Sequence, residues 1–163
     1  MSMRMLIRSF NPADAPAIRA VLNQIVERGD AFLYDTPFTD ASALDWVNAH
    51  SAAFVAVLGG DVVGGYVLRP NQPGRGGHVC NAAYMVGESA RGRGVGYALG
   101  EHSIAQAKLL GFTAMQFNAV VSTNAHAVKL WKSLGFETVG TLPRAYRHKD
   151  GHFVDLLVMF RAL

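Results

Sequence analysis

The segment Arg91-Gly92-Arg93-Gly94-Val95-Gly96 constrains the fold most, because it separates two stretches of different periodicity. Residues 81–86 before it form an apolar run typical of a β-strand, and residues 97–107 after it are typical of an α-helix. Glycines at such a turn let the backbone bend and let a ligand approach closely. The first helical turn offers unpaired N–H groups and the positive end of the helix dipole. The segment therefore predicts an anion site, for which a phosphate is the usual occupant.

Spacing separates the phosphate-binding motifs that such a turn could belong to. A P-loop is excluded because no Lys-Ser or Lys-Thr pair follows the glycines. A dinucleotide fingerprint is excluded because its third glycine would fall at Tyr97 or Leu99. Arg91, Gly94 and Gly96 fit the pattern Arg-x-x-Gly-x-Gly, which resembles the acyl-CoA-binding motif of the GCN5-related N-acetyltransferase (GNAT) family. The alternative is a glycine turn that only caps a helix, with solvated arginines.

Composition limits the class of protein. The chain has 163 residues, half of them apolar, and a formal net charge of +3, which predicts one globular domain over residues 1–163. No Lys/Arg run marks a nucleic-acid-binding arm, and no apolar run is long enough to span a bilayer. The one cysteine, Cys80, excludes an intrachain disulfide and is expected to be a buried small hydrophobe. With no signal-peptide core at the N-terminus, these features predict a soluble cytoplasmic protein without nucleic-acid or membrane partners.

Turn and capping residues divide the chain into eleven predicted elements. A first helix begins at Asn11-Pro12 and ends at Gly29, and Thr39 caps a second helix. Two more helices follow, one after the central glycines and one at residues 125–134. Strands are predicted at residues 5–8, 53–58, 62–68, 78–86, 112–121, 137–142 and 153–160, with a polar, basic loop at 143–152. The order β-α-α-β-β-β-α-β-α-β-β predicts a mixed α/β sheet in one domain.

A second motif lies in the last predicted helix. Asn124, Ala127, Trp131 and Gly135-Phe136 resemble the signature Asn-x-x-Ala-x-x-x-Tyr-x-x-x-Gly-Phe of the same acetyltransferase family, with Trp131 at the tyrosine position. The element order and the distance from the glycine turn are also similar to the family, so the resemblance covers nearly the whole chain. It implies the GNAT acyl-CoA N-acyltransferase fold.

The resemblance also implies how acetyl-CoA would bind, with no metal involved. Backbone N–H groups in the glycine turn would hold the pyrophosphate, the turn's arginines would add charge, and the end of the preceding strand would bond the pantetheine amides. The N–H of one of the last two residues of that strand would also face the thioester carbonyl as an oxyanion donor. The residues expected to contact the cofactor are Met85, Val86, Arg91, Arg93, Gly94, Val95, Gly96, Tyr97, Asn124 and Trp131.

Proton transfer is the step for which the sequence offers several candidates. An alkyl ammonium has a pKa near ~10, so a base or a water relay must remove a proton. Residues 80–86 and 114–121 contain no carboxylate, which leaves His78 as a candidate base, or else an ordinary surface histidine. Trp131 cannot act as an acid, since an indole N–H only donates hydrogen bonds. Tyr84 is a candidate acid, along with Tyr34 and Tyr97.

Two asparagines interrupt the apolar strands on either side of the predicted cofactor slot. Asn81 and Asn118 are disfavoured in strands, and burying an amide without partners costs about 1–3 kcal/mol. The segment 78–81, with Asn118, resembles acetyltransferases that act on small amino acids and analogues, including the phosphinothricin and proline-analogue enzymes. There such asparagines can hold the substrate. They can also simply pair with each other or with a strand bulge.

The sequence thus favours an enzyme that moves an acetyl group from acetyl-CoA directly to a small amine, such as an amino acid or a toxic analogue. The absence of the tyrosine and of a strand carboxylate motivates an alternative, a non-catalytic acyl-CoA-binding or sensing domain. A protein N-terminal or lysine acetyltransferase is a third reading. The aromatic loop 31–38 is expected either to pack down or, preferably, to line the acceptor pocket. A homodimer through the final strand is expected by analogy with the family.

Overall fold

The computed structural model describes residues 3–163, which form a seven-stranded sheet with four α-helices. The strands are β1 (Met5–Ser9), β2 (Ala52–Leu58), β3 (Asp61–Pro70), β4 (Val79–Val86), β5 (Ala114–Val121), β6 (Glu137–Arg147) and β7 (Phe153–Ala162). The helices are α1 (Ala15–Arg28), α2 (Asp40–Asn48), α3 (Val95–Leu109) and α4 (Ala125–Ser133). None of these helices, within the part described, is both long and apolar enough to cross a bilayer. The element order agrees with the prediction.

The sheet order is β1-β2-β3-β4-β5-β7-β6. Every neighbouring pair is antiparallel except β4 and β5, which are parallel. A parallel pair needs a crossover connection, and α3 supplies it. The predicted mixed α/β sheet is therefore confirmed.

The helices cover opposite faces of the sheet. On one face, the α1 residues Ile18 and Leu22 are buried against Val55, Val67 and Met85 of the strands. On the other face, α3 and α4 bury a second cluster that includes Leu99, Ile104, Trp131, Met115 and Met159. Because side chains alternate along a strand, Met85 of β4 points to the α1 face and its neighbours point to the α3 face.

Two glycines in β3 bring its backbone close to both neighbouring strands. A Cβ atom at Gly64 would lie 2.5 Å from the carbonyl oxygen of Met85, and one at Gly65 would lie 2.4 Å from that of Phe54. Cβ atoms do not approach an oxygen so closely, so only glycine fits at either position. Gly64 pairs with Val86, and the close approach therefore fixes the last residue of β4 against β3.

The predicted boundaries of the last hairpin need correction. β6 continues through Arg147 instead of ending at residue 142, and its register with β7 shifts between Leu142 and Tyr146. Tyr146 is buried and donates a hydrogen bond to the carbonyl oxygen of Phe32 at 3.0 Å. The basic, proline-containing stretch looks like a loop in sequence. In the structure Pro143 lies within the register shift, and pairing with β7 resumes at Tyr146. The connecting loop therefore contains only residues 148–152.

Cys80 is fully buried on β4 within the core under α3. Burial raises the pKa of its thiol to about 11, because the charged thiolate would lose its hydration. The thiol therefore stays protonated at neutral pH, and the prediction of a structural, unreactive cysteine is confirmed.

Candidate active site

The centre of the sheet contains a split between its two parallel strands. β4 and β5 are each eight residues long, yet they pair only at Val79 with Ala114 and at Cys80 with Met115. β3, in contrast, pairs with β4 from Cys80 through Val86. Beyond Cys80 the two parallel strands therefore diverge and leave one edge of β4 without a strand partner.

The hydrogen bonds at the two ends of β4 show which backbone groups face the split. The Val79 carbonyl accepts from Asn71 N at 2.8 Å, and Gly87 N donates to the Val63 carbonyl at 2.7 Å. The backbone N–H and C=O groups of odd-numbered residues in β4 therefore point toward β3. The His78 carbonyl accepts from Thr113 N at 2.9 Å, so even-numbered residues face β5. Since this direction alternates along a strand, the N–H groups of Tyr84 and Val86 point into the split. The alternation favours Val86 over Met85 as the residue that bonds a ligand there.

Asn81 bridges the strands at the point where they separate. In a continued parallel ladder, the Gln116 carbonyl would accept from the backbone N–H of Ala82. Instead Nδ2 of Asn81 donates to that carbonyl at 3.1 Å. The side chain thus replaces the first missing backbone bond, and its amide N–H is occupied by the protein.

The glycine turn forms the N-terminus of α3 beside the end of β4. Gly92 and Gly94 have φ angles of 74° and 78°, in the left-handed region that favours glycine. The first amide bonded within the helix is Ala98, which donates to the Gly94 carbonyl at 3.1 Å. Among the residues described, the backbone N–H groups of residues 93–97 have no acceptor. The predicted cradle of free amides is therefore present at a helix N-terminus, where the dipole favours an anion.

Charge at this turn is positive. Arg91 and Arg93 are exposed, and no carboxylate among residues 3–163 lies within ion-pair distance of either. The nearest acidic residue in sequence, Glu88, is 3.9 Å from NH1 of Arg28. Both arginines are therefore free to bind a phosphate.

Gly96 connects the cradle to the split. A Cβ atom built on Gly96 would lie 4.0 Å from Cγ2 of Val86 and 3.4 Å from Cδ2 of Leu130. The first turn of α3 thus lies between the end of β4 and helix α4, with only a hydrogen atom at that point. The free amides at the start of α3 therefore lie beside the open end of the split.

Trp131 lies under the split on the α3 and α4 face. Its indole is 8% exposed, with ring centroids 4.5 Å from Tyr84 on β4 and 4.6 Å from Phe117 on β5. The indole therefore packs against both diverging strands as part of the core. We predicted Trp131 as a cofactor contact, and the structure places its side chain beneath the split, packed against both strands.

Tyr84 is held by α3. Its hydroxyl lies 2.6 Å from Oγ of Ser103, which donates in turn to the Gly100 carbonyl at 2.7 Å. Burial raises the pKa of Tyr84 above its usual range, so the phenol is neutral at physiological pH and retains its proton. Of the three tyrosines considered as acids, Tyr84 alone is on a strand that borders the split. Tyr34 and Tyr97 are exposed, on the α1–α2 loop and on α3.

Three other predicted residues have local partners or lie elsewhere. Asn118 donates to Oδ1 of Asn71 at 2.6 Å and accepts from Nε2 of Gln116 at 2.9 Å, so the protein engages both ends of its amide. His78 is exposed at the paired end of β4, eight residues from Val86, or about 26 Å along an extended strand. The structure therefore does not bring His78 to the open end of the split. Asn124 caps α4 by accepting from Ala127 N at 3.2 Å.

A second cleft, of about 700 Å³, lies beside the aromatic loop. Loop 31–38 and the C-terminal part of α1 form one wall, and the end of β6 with residues 148–151 forms the other. Trp46 Nε1 donates to the Tyr34 hydroxyl at 3.0 Å, and the Phe38 ring lies edge-on to Tyr34. The loop thus packs on α2 and also lines a cleft, so both expected arrangements are present, and its role in acceptor binding stays a prediction.

Sequence reasoning missed the partners of the site residues. Ser103 holds Tyr84 from 19 positions away, and Gln116 meets Asn81 from 35 positions away. Neither residue belongs to a motif, and no local periodicity links the partners. Only the pairing of β4 with β5 and the docking of α3 bring them together.

Comparison with known proteins agrees with this geometry. Residues 19–136 match the model of the acetyltransferase (GNAT) family. The chain is 32% identical to the L-methionine sulfoximine/L-methionine sulfone acetyltransferase of Pseudomonas paraeruginosa, over 94% of this chain and 91% of that protein. Two other curated relatives are longer, and the chain spans only 47% of one and 13% of the other.

Solved structures share the whole fold. A GCN5-related N-acetyltransferase from Kribbella flavida superposes with a TM-score of 0.92 at 44% identity and covers 98% of both chains. The protein yncA of Salmonella typhimurium, solved with its cofactor acetyl-CoA, has a TM-score of 0.90 at 26% identity, over 98% of this chain and 94% of that one. With a split parallel pair, a glycine-turn amide cradle and a family match over most of its length, the chain belongs to the GNAT family of acetyltransferases.

Proposed function

We propose that this protein is an acetyl-CoA-dependent N-acetyltransferase that moves the acetyl group directly to the amine of a small acceptor. The observation that carries the proposal is the continuity of two sets of unpartnered amides. Residues 93–97 present free N–H groups at the start of α3, and Val86 presents one in the split, with only Gly96 between them. This arrangement suits a long ligand with a phosphate at one end and amide groups at the other.

In the proposed complex, positively charged side chains and backbone amides bind different parts of acetyl-CoA. The amides of residues 93–97, with Arg91 and Arg93, hold the pyrophosphate of the cofactor. The exposed edge of β4 accepts the pantetheine arm as an added strand. The cofactor supplies an acetyl thioester, whose carbonyl oxygen the N–H of Val86 polarises as charge develops on it.

Few side chains along the split can transfer protons to or from the reacting amine and thiolate. Neither strand carries a carboxylate along the split, so a water relay takes the proton of the attacking amine. We assign Tyr84, on the strand that borders the split, as the donor to the departing thiolate, and its phenol regains a proton from the water relay that takes one from the amine. Ser103 orients that hydroxyl. No acyl-enzyme is required, because the thiol of Cys80 is buried and protonated.

The acceptor is a small amine, and an amino acid or an amino-acid analogue fits best. The relative that matches this chain over 94% of its length is named for L-methionine sulfoximine and L-methionine sulfone. The cleft beside loop 31–38, about 700 Å³, is in the range of small-ligand pockets. This size gives less support to a protein or peptide acceptor, which would need an open groove.

The decisive experiment is thiol release from acetyl-CoA, with amino acids, amino-acid analogues, polyamines and short peptides as acceptors. Release that depends on a small amino acid or analogue supports the proposal. Two features favour the second candidate, a domain that binds acyl-CoA without turnover: the tryptophan at the tyrosine position and the carboxylate-free split. Saturable acetyl-CoA binding without thiol release with any acceptor would establish that candidate.

We also propose that the chain acts in the cytoplasm as one domain that forms a homodimer through β6. The final strand, β7, lies inside the sheet between β5 and β6, so the expectation that it pairs across an interface is wrong. Strand β6 is at the edge of the sheet instead, and Val139 and Leu142 on it are exposed. Apolar side chains on an unpaired edge strand favour pairing with a second copy. Light scattering coupled to size exclusion measures the mass in solution. A monomeric mass at tens of micromolar would contradict the dimer.

A further inference from the structure

The turn between β6 and β7 brings two imidazoles and one carboxylate together. In the segment His148-Lys149-Asp150-Gly151-His152, one ligand atom from each of His148, Asp150 and His152 lies within 4.8 Å of the other two. Nδ1 of His148 is 3.6 Å from Oδ1 of Asp150, and Nδ1 of His152 contacts the same oxygen. Within residues 3–163, no other three such side chains converge in this way.

Backbone contacts preorganise the turn. His148 N donates to the His152 carbonyl at 2.9 Å, and Gly151 N donates to the His148 carbonyl at 2.8 Å. Lys149 N donates to the Gly29 carbonyl at 3.0 Å, which anchors the turn to the end of α1. The three side chains therefore project from a backbone that is already fixed.

Hydrogen bonding leaves one ligand atom of the cluster without a partner, whereas Oδ1 of Asp150 accepts from His152 N at 3.0 Å and contacts Nδ1 of His152. Nδ1 of His148 is buried and has no hydrogen-bond partner among the residues described, although a buried polar atom normally has one. The neighbouring cations are directed elsewhere. The Lys149 ammonium donates to the Glu27 carbonyl at 2.6 Å, and Arg147 NH2 lies 3.9 Å from Asp35. No positive side chain is thus committed to the space between the ligands.

We propose that His148, Asp150 and His152 bind a divalent transition-metal ion of the Zn²⁺, Co²⁺ or Ni²⁺ class, with water completing the coordination. Two imidazoles and one carboxylate favour these ions over Mg²⁺ and Ca²⁺, which prefer oxygen ligands. Tetrahedral donors about 2.0–2.2 Å from zinc are roughly 3.3–3.6 Å apart. Nδ1 of His148 and Oδ1 of Asp150, 3.6 Å apart, already fit this spacing, and Nδ1 of His152 reaches it by moving away from that oxygen. The proposed acetyl transfer uses no metal, so the ion is assigned a structural role.

The metal site borders the second cleft. His148, Lys149 and Gly151 belong to the lining of that cleft. A bound ion crosslinks both ends of the turn and so fixes one wall of the cleft. Zn²⁺ affinity is measured without turnover, so the metal site can be tested whether or not the proposed acetyl transfer is confirmed.

The test uses tag-free full-length protein, with Co²⁺ and Zn²⁺ as probes. We expect one saturable Zn²⁺ site by calorimetry and visible absorption bands on adding Co²⁺, which report its coordination. His152→Ala, at a half-exposed side chain, should weaken Zn²⁺ binding by at least about tenfold, since even loss of an outer-shell partner commonly costs 10–100-fold. His126→Ala, which removes an exposed imidazole on α4, should leave binding unchanged.

A second variant protects the test against misfolding. Asp150→Asn keeps the size of an exposed side chain while removing its charge, and circular dichroism verifies the fold of both variants. Equal Zn²⁺ affinity in the parent, His152→Ala and Asp150→Asn would overturn the proposal. So would the absence of a saturable site in the parent protein. Loss of affinity in both folded variants, with the parent's affinity kept in His126→Ala, would establish the site.

Discussion

Two glycines one turn apart in α3, Gly96 and Gly100, allow cofactor binding and folding stability to be tested separately by the same substitution to alanine. Gly96→Ala places a Cβ atom 3.4 Å from Cδ2 of Leu130 and 4.0 Å from Cγ2 of Val86, which is ordinary van der Waals contact. Gly100→Ala makes the same change one turn later in α3. There the Cβ atom would lie 2.4 Å from Cδ1 of Leu134 and 3.3 Å from the ring of Trp131. The two variants are therefore a matched pair.

The expected stabilities differ in sign. Alanine is better than glycine inside a helix by about 0.8–1.0 kcal/mol, and part of this gain applies in the first turn of α3, so Gly96→Ala is neutral or slightly stabilising. Overpacking a core costs about 1–3 kcal/mol, which outweighs the same gain at Gly100. For a domain of this length, 1 kcal/mol shifts Tm by about 2–4 °C. Gly100→Ala is thus expected to lower Tm by a few degrees.

The expected affinities have the opposite order. We expect the cofactor to run beside Gly96, where a methyl group would overpack its binding site by about 1–3 kcal/mol, so the Kd for acetyl-CoA should rise about tenfold or more. At Gly100 the methyl group faces the core, and the Kd should change less than threefold in the folded protein. Calorimetric titration with acetyl-CoA and thermal unfolding measure the two quantities. An unchanged Kd in Gly96→Ala would refute the route of the cofactor past this residue.

Three further substitutions test the site and its support. Tyr84→Phe should lower kcat about tenfold or more with little change in the KM for acetyl-CoA; an equal kcat would exclude the phenol as proton donor. Asn81→Ala should cost about 0.5–1.5 kcal/mol in urea unfolding, because a strand-bridging hydrogen bond is lost; unchanged stability with lost acceptor binding would make this amide a substrate contact. Asp14→Asn removes a carboxylate that accepts from Arg8 at 2.8 Å and should cost about 1.5–3 kcal/mol at pH 7. The hydrogen bond from Arg8 lowers the pKa of Asp14 in the folded protein. The carboxylate therefore contributes fully to the free energy of unfolding above pH ~4, and this contribution is lost at lower pH because the unfolded chain binds a proton there first. A difference between parent and Asp14→Asn that stays constant from pH 6 to pH 3 would contradict this.

Local signals in the sequence were sufficient for the order of the elements. Thr39 accepts a hydrogen bond from Ser42 N and begins α2 as predicted. Gly29 ends α1 with a φ of 63°, and Gly94 has a φ of 78° at the start of α3. Such residues act on the backbone within a few positions of themselves, so their effect can be predicted without knowing the tertiary fold.

The direction of backbone groups in β4 could not be predicted, because it depends on register. The sequence allowed either Met85 or Val86 to face the ligand. Only the pairing of β3 with β4 shows that Val86 faces the split. The role of Asn81 depends in the same way on how far β4 and β5 remain paired. Trp131 matches a family signature, yet its position in the core follows from packing against both strands.

The length of β6 could not be predicted for a different reason. Pro143 and the basic residues after it resemble a surface loop, and an edge strand tolerates such residues because one of its sides is exposed. The long-range bond from Tyr146 to Phe32 helps to hold the strand in place, and no pattern near residue 146 reveals a partner 114 positions away. The cluster of His148, Asp150 and His152 was not predicted, because the sequence shows only a polar, basic loop and the turn geometry brings the three side chains together.

The split gives β4 two backbone edges that differ in how they exchange hydrogen with solvent. Amides of odd-numbered residues such as Ala83 and Met85 are bonded to β3, whereas those of Tyr84 and Val86 are not bonded to β5. In the free protein, amide protons along this one strand therefore alternate between slow and fast exchange, although all of them lie in the middle of a seven-stranded sheet. A ligand that bonds the open edge makes the pattern uniform.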